Sequence, residues 1–499
     1  MKEIVINVET DETRIALLDN HRLMEFYIER ELMENILGNI YKGRVESILP
    51  GMQAAFVDIG IEKNGFLYVT EIMPEQMENY AEMVGEEEIA GEQIEESFSS
   101  RLPIESLLKR GQEILVQVIR ESFRSKGARI TTVITLPGRI LVLMPTIDHV
   151  GISRRIEDEQ EKNRLKACLK KIKPNNMGLI VRTLGVGKKE KDFLKEMDSL
   201  LKLWEVIRKK SESKSAPSLI HKELGIVSRI IRDLFTEKVE TLIIDSPKEF
   251  NGILDFIEVF APHLKSRVKL YQRPVPIFEA YGIEAEIEQI LQRRVPLPSG
   301  GYLVIDEVEA LVAIDVNSGK YVGKRNLEET ALKINLEAAK EIARQLRLRD
   351  MGGIIIIDFI DMEKGENRSR VLKSLEEAVK EDRARPEISQ FTKLGLVEMT
   401  RKRVKQSLNL ILGEVCPHCG GNGVVLSKTT IFLKILRKLS KVCATRGDKE
   451  IKIVVHPDLA VRLLQEGKIE QISQQFGKKI YLQPDENFSL SEMKIYPEL

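Results

Sequence analysis

The sequence is poor in cysteine, in net charge and in long apolar runs. Its 499 residues hold four cysteines, Cys168, Cys416, Cys419 and Cys443. That is too few for a disulfide scaffold in a chain of this length, so the cytoplasm is the expected compartment. Lys plus Arg and Asp plus Glu stand at 77 each, which excludes a uniformly basic coat for nucleic acid but not local basic grooves. The longest apolar run, residues 352–357, stops at Asp358. It falls far short of the roughly 20 residues that span a bilayer. The N-terminus, with Glu3, Glu9, Asp11 and Glu12, lacks the basic-then-apolar layout of a secretory leader, so neither a secreted nor an integral membrane protein is expected. There is no long internal repeat. There is no phosphate-binding P-loop either, because Gly185-Val-Gly187-Lys188 continues into Lys189 and lacks the glycine spacing.

The chain does hold 42% hydrophobic and 31% charged residues, enough to bury several cores over three or four domains. Residues 3–8 and 14–18 read as strands, as do parts of 39–72 and 111–119. Between these, residues 74–100 carry nine acidic residues and no Lys or Arg, the pattern of a solvated insertion. Residues 120–155 reverse the balance, with seven basic residues against two acids. Residues 188–210 read as a helix leading into a polar linker at 211–218. A strand, helix and strand follow over 242–245, 248–260 and 268–271. A boundary lies at residues 295–301, before a compact α/β segment that runs to about residue 413. A short tail domain with one helix and the strand 451–455 follows.

Four groups of residues carry chemistry. The first is the stretch 38–71, where glycine-broken strands fit a small, strongly bent barrel. Phe56 and Phe66 are either barrel core or a stacking platform for single-stranded bases, with Lys42, Arg44 and Lys126 at hand for phosphates. In the second, Gly138 and Val142 lie on one strand–turn and Arg182 and Thr183 on another. An Arg fork, a hydroxyl and glycine-exposed backbone N–H groups suit a terminal phosphate; a plain surface Arg is the alternative. The third is an apolar strand over residues 311–317 ending in Asp315-Val-Asn317-Ser-Gly319. Asn326 and Glu329 are placed to cap the helix that follows, and Ala331, Ile334, Ala338, Ile342 and Leu346 form its apolar stripe. A second strand, 354–357, ends at Asp358. Strand–helix–strand is the parallel crossover unit, whose strand ends share the edge where ligands bind. Asp315, Asp358 and the Asn317 amide would then form a hard-oxygen site of the kind Mg²⁺ takes, unless each Asp only caps a turn. The fourth is Cys416-Pro-His418-Cys419-Gly-Gly-Asn-Gly423, a zinc-knuckle turn with two ligands where four are needed. His418 completing a mononuclear site, a redox pair, or two chains sharing one zinc would each account for it. Cys168 and Cys443 read as buried small hydrophobes.

On these residues the stretch 38–71 resembles the S-one type OB-fold of RNA-binding proteins. The chain from Val5-Ile-Asn-Val to the tail resembles the ribonuclease E/G family of bacterial endoribonucleases. Its length resembles the family's short members, without the long disordered arm. The resemblance implies a multidomain α/β and α+β fold. Its parts would be an RNase H-like subdomain (1–37 and 229–290), an OB-fold RNA-binding barrel (38–131, insertion 74–100) and a 5′-phosphate sensor (132–228). A DNase I-like catalytic domain (291–413), a zinc link (414–423) and a small C-terminal α/β domain (424–499) would follow. It implies catalytic Asp315 and Asp358, one Mg²⁺ per site on Asp315, Asn317 and Asp358, and one intersubunit Zn²⁺ shared by two chains through Cys416 and Cys419. It implies a 5′-monophosphate pocket at Gly138, Val142, Arg182 and Thr183, and RNA contacts at Phe56, Phe66 and Lys126. Residues 151–155 would touch RNA in general. Asp361 is a secondary helper, and Arg344, Arg347, Arg349, Arg401, Lys402, Arg403 and Lys405 are candidates to flank an RNA track.

The expected function is cleavage of single-stranded, A/U-rich RNA to 5′-phosphate and 3′-hydroxyl ends, in rRNA and tRNA maturation and mRNA decay. The expected assembly is a homodimer or a dimer of dimers, with rRNA precursors and mRNA as partners. A non-catalytic RNA-binding or ribosome-associated factor, and a thiol oxidoreductase centred on Cys416, are the competing classes. The first has no need of the Asp315/Asn317/Asp358 set; the second needs a reactive thiolate free of tightly held metal.

Overall fold

The computed structural model describes residues 1–30, 36–72, 103–120, 127–308, 310–319, 327–380, 382–384, 386–403, 407–445, 447–488 and 492–497. The acidic stretch 74–100, Lys126, Asn326 and Lys405 lie outside the described residues. The chain forms two compact units, 1–411 and 412–499.

Among the described residues the first unit contains four sheets. In the first sheet, Lys2–Val8 lies between Val239–Ile244, parallel to it, and Glu12–Asp19, antiparallel to it. Ile4, Val5 and Ile6 are fully buried there, so segments more than 200 residues apart close one core. The strand Arg22–Arg30, not foreseen from the sequence, completes one edge. The second sheet is a closed barrel in the order Ile40–Leu49, Ala54–Asp58, Gly65–Tyr68, Arg129–Thr131, Glu113–Arg120 and back to Ile40–Leu49. Val45, Ala55, Val57, Leu67, Val116 and Ile130 fill it. The strand Ser218–His221 pairs with its rim at Ile40–Lys42, so the expected polar linker shortens to residues 214–217 between helix and strand.

The third sheet joins Val150–Ile152, Gly178–Val181, Leu141–Met144 and Leu136–Pro137. The helices Glu159–Ile172 and Glu190–Ser213 cover it through Leu165, Leu169, Phe193 and Met197.

The fourth sheet has six strands. Its centre is the parallel pair Leu311–Asn317 and Gly353–Asp358, joined by the helix Leu327–Leu348. Ala331, Ile334, Ala338, Ile342 and Leu346 are all buried against the sheet, as their three-and-four spacing requires. Truncating Ile342 to Ala would cost about 2–5 kcal/mol.

In the second unit Glu450–Val455 pairs in parallel with Lys479–Pro484 and antiparallel with Met493–Pro497. Three helices, Lys428–Thr445, Pro457–Gln465 and Lys468–Phe476, bury Ile435, Leu439, Leu459, Leu463 and Ile472 against Ile451, Ile453 and Val455. One helix and one strand were expected; the shorter helices carry too few residues for a clear period. No helix of the described residues is long and apolar enough to cross a membrane.

Candidate active site and accessory sites

The parallel register sets Asp315 directly opposite Asp358. Asp358 ends its strand, Asp315 lies two residues before the end of its own, and both are exposed. The strand-end turn is tight. Gly319 has φ +61°, and a Cβ there would lie 2.5 Å from the Gly300 carbonyl, so a side chain at this position would push the turn off its neighbour. Asn317, two residues after Asp315 on the same strand, shares its face, and its Nδ2 donates to Asp315 Oδ2 at 2.7 Å.

On the other strand, a residue missed from the sequence fixes the approach. Asn335 is fully buried in the crossover helix. Its Nδ2 donates to the Ile360 carbonyl at 2.8 Å, and its Oδ1 accepts from the Ile360 N–H at 3.1 Å. That clamp holds the segment between Asp358 and Asp361. An amide inside an apolar stripe was the available signal, since a buried amide needs backbone partners. Burial raises the pKa of Asp358, and repulsion from Asp315 and Asp361 raises it further. The carboxylates therefore crowd one another, and a hard cation would relieve them. Among the described residues no three His, Cys, Asp or Glu side chains converge as a self-sufficient metal cage. Two carboxylates and an amide oxygen, with the remaining positions left to water and substrate, match Mg²⁺ rather than a closed structural metal.

The basic residues proposed to line a track divide differently. Arg344 is buried and bonds the Leu23 carbonyl, Glu286 and Glu341. Arg349 is buried on the Gln345 amide and the Gln292 carbonyl. Arg401 is locked by Asp382 and Asp350. These three are internal ties, and their placement corrects the reading as an RNA track. Arg403 donates to the Gly352 carbonyl at 2.7 Å.

The sensor candidates partly converge. Arg182 is nearly buried; its Nη1 donates to the Gly138 carbonyl at 2.6 Å and pairs with Asp233 at 2.6 Å. The Thr183 hydroxyl lies 3.1 Å from the Ser153 hydroxyl. Val142 points into a small core with Val133, Met144 and Ile180, so only its backbone faces any ligand. The backbone N–H groups after Gly138 were expected to face a phosphate. Those of Arg139, Ile140 and Leu141 instead all donate to the buried Glu196 carboxylate. A Cβ on Gly138 would meet Glu196 Oε1 at 2.7 Å. The glycine thus serves an internal anion, and of the four sensor candidates only Arg182 and Thr183 keep polar side chains at this place. Arg232 holds Asp233 from the other side at 3.0 Å and itself pairs with Glu223. Burial alone would raise the pKa of Asp233, but Arg182 and Arg232 outweigh it and hold the group down at about 2.

On the barrel, Phe56 and Phe66 are cross-strand partners with centroids 5.3 Å apart. Both are half-buried, on the face opposite the barrel core. Tyr68, two residues on and so on the same face, lies 4.6 Å from Phe66. Arg129 sits 4.9 Å over Tyr68 and pairs with Glu71. This third ring was missed, although strand alternation from Phe66 pointed to it. Lys42 and Arg44 are both drawn to Glu113.

In the second unit Cys416 and Cys419 share one turn. The Cys416 thiol is pushed down by backbone N–H groups of Cys419 and His418, and Gly423 N–H donates to Cys419 Sγ at 3.4 Å. Such N–H···S bonds prepare thiolates for metal. His418 is exposed and forms no group of three with the thiols. Cys168 and Cys443 are buried.

The profile of the Ribonuclease E/G family matches residues 135–404, and that of the RNase E/G thioredoxin-like domain matches residues 415–498. The chain is 40% identical over 496 residues to Ribonuclease G of Haemophilus influenzae, covering 99% of both. It is 40% identical over 483 residues to Ribonuclease G of Escherichia coli K12, covering 96% of both. Against Ribonuclease E of the same bacterium the identity is 42% over 471 residues, 93% of this chain but 43% of that protein.

Proposed function

The chain belongs to the ribonuclease E/G family and is an endoribonuclease, and from that premise we propose that it is a Mg²⁺-dependent hydrolase of single-stranded, A/U-rich RNA, stimulated by a 5′-monophosphate. Its roles are rRNA and tRNA maturation and mRNA decay in the cytoplasm, and its products carry 5′-phosphate and 3′-hydroxyl ends. The six-stranded sheet serves as the DNase I-like catalytic domain, and the sheet built on Lys2–Val8 as the RNase H-like subdomain.

The observation that carries this reading is the register pairing of Asp315 with Asp358 beside Asn317. Those three residues would hold Mg²⁺, which supplies a lowered water pKa and charge neutralisation at the scissile phosphate. The chain's own residues do the rest. Asp315 and Asp358 orient the attacking water by accepting hydrogen bonds from it, and Asn335 keeps the second carboxylate at its station. Phe56 and Phe66, with Tyr68, stack unpaired bases, which a duplex cannot offer. Arg182, anchored by Asp233 and the Gly138 carbonyl, turns its remaining N–H edge to a 5′-phosphate, with Thr183 beside it. Two chains share one Zn²⁺ through Cys416 and Cys419, giving a homodimer or a dimer of dimers. The test is cleavage of a 5′-monophosphorylated, A/U-rich oligoribonucleotide with and without Mg²⁺. Metal-independent cleavage, or full cleavage by Asp315→Asn and Asp358→Asn, would remove the proposed site.

A further inference from the structure

The three-stranded sheet of the second unit has one face under helices and one face without them. Ile451, Ile453 and Val455 point to the helices, as do Ile480, Leu482 and Ile495 on the flanking strands. Alternation along each strand sends their neighbours to the other face. There the register places Tyr481, Lys452 and Tyr496 side by side in one row across all three strands. Tyr481 and Tyr496 are 43% and 45% exposed. The next row carries Gln483, Val454 and Lys494, and the Lys494 ammonium lies 5.3 Å over the Phe488 ring. The preceding row holds Lys479 paired with Glu450 at 3.3 Å.

Neighbouring strands lie about 4.8 Å apart, so the two tyrosines stand roughly 10 Å apart with a lysine between them. Two flat rings flanking a cation is the layout that accepts two splayed bases and the phosphate that joins them. A protein partner would be met differently. Interface cores are depleted in lysine, and on this face lysine is central, while the one aliphatic residue of these rows, Val454, is already buried.

We propose that this open sheet face, centred on Tyr481, Lys452 and Tyr496, is a second single-stranded RNA-binding surface, separate from the barrel. The inference rests on the endoribonuclease reading for its ligand class, and on the sheet register alone for its residues. Its contribution is to hold a second stretch of a long substrate, so it raises the affinity for long strands through effective concentration.

The test is photocrosslinking of the full chain to a single-stranded oligouridylate carrying 4-thiouridine, with the crosslinked peptides mapped. Crosslinks are expected within 479–484 and 493–497 as well as around Phe56 and Phe66. Unlabelled single strand should compete for them and duplex RNA should not. The double variant Tyr481→Ala with Tyr496→Ala should lower the 479–497 crosslinks at least about fivefold and leave those on the barrel unchanged. Tyr481→Phe with Tyr496→Phe should keep them, because a ring rather than a hydroxyl does the stacking. Crosslinks confined to the barrel overturn the second surface and leave the endoribonuclease reading intact. Loss of crosslinks at both places in the unsubstituted chain overturns both. A smaller mass of the alanine variant by light scattering, with its crosslinks unchanged, assigns the face to a second copy of the chain and overturns the proposal.

Discussion

Asp233 decides whether Arg182 can serve as a sensor, and its removal has a calculable consequence. Its carboxylate is about nine-tenths buried and lies 2.6 Å from Arg182 and 3.0 Å from Arg232. Replacing it with Ala strands two guanidiniums unequally. Arg232 keeps Glu223 at 3.0 Å and the Pro137 carbonyl. Arg182 keeps the neutral Gly138 carbonyl and, without a hydrogen bond, the nearby Glu196 carboxylate. Leaving a buried charge without its partner costs about 3–5 kcal/mol. The single tryptophan, Trp204, packs at the edge of the core that holds Val181, so its fluorescence during urea unfolding reports on this region. Asp233→Ala should shift that transition by about 3–5 kcal/mol. Asp233→Asn keeps the shape and should fold better, yet it frees Arg182 from its anchor. Its rate advantage for 5′-monophosphorylated over 5′-hydroxyl RNA should fall, while cleavage of 5′-hydroxyl RNA holds. The carboxylate also sets a pH signature. Its folded pKa, about 2, lies below the ordinary value of 3.8, so its stabilisation is present above 3.8 and is lost as pH falls toward 2. That depression corresponds to about 2–3 kcal/mol, and this part of the acid sensitivity should vanish in Asp233→Asn. An Asp233→Ala transition within about 0.5 kcal/mol of the parent refutes the buried-pair reasoning. An unchanged 5′ preference in both variants refutes the anchoring role.

Three further perturbations test the other sites. Asp315→Asn and Asp358→Asn should each abolish Mg²⁺-dependent cleavage, measured by gel, while filter binding of RNA in Mg²⁺-free buffer survives. Phe56→Ala, Phe66→Ala and Tyr68→Ala should each weaken single-strand binding by about 1–3 kcal/mol in fluorescence anisotropy; a fall in thermal stability with unchanged affinity would return the rings to a packing role. Cys416→Ser with Cys419→Ser should release zinc and dimer together, and elemental analysis with light scattering should give one zinc per two chains in the parent. One tightly held zinc per monomer would refute sharing.

The parts of this molecule that were legible in the sequence are those set by local period. The buried stripe from Ala331 to Leu346, with apolar strands on both sides, specified a crossover unit, and the crossover put Asp315 beside Asp358. The parts that were not legible are polar and long-range. Arg344, Arg349 and Arg401 look like solvated helix or strand charges until Glu286, the Gln292 carbonyl and Asp382 arrive from distant segments. Gly138 looks like a phosphate turn because nothing local shows that Glu196, on a later helix, fills the ring of N–H donors. A pattern of residue types specifies which face is apolar; it does not say which partner neutralises a charge, because pairing is decided by the tertiary neighbours.

That allocation of charge carries one more consequence. Arg344, Arg349 and Arg401, on or next to the elements that carry Asp315 and Asp358, are spent on internal carboxylates and carbonyls. Asp315, Asp358 and Asp361, by contrast, have no ion-pair partner among the described residues, and Asp358 feels both of the others. If these carboxylates form the active site, they repel the polyanion brought to them until a cation is bound. At about 4 Å in water-like surroundings one like-charge contact costs ~1 kcal/mol, or about fivefold in affinity. In chelator, Asp358→Asn should bind a non-cleavable single strand about fivefold more tightly than the parent. The difference should close as Mg²⁺ is titrated in, because the parent then neutralises the same charge with metal. Calcium in place of Mg²⁺ should close it as well if neutralisation rather than catalysis is the cause. Equal affinities of the two proteins in chelator would mean that the scissile phosphate does not approach these carboxylates, and the active site would have to be sought on another edge of the sheet.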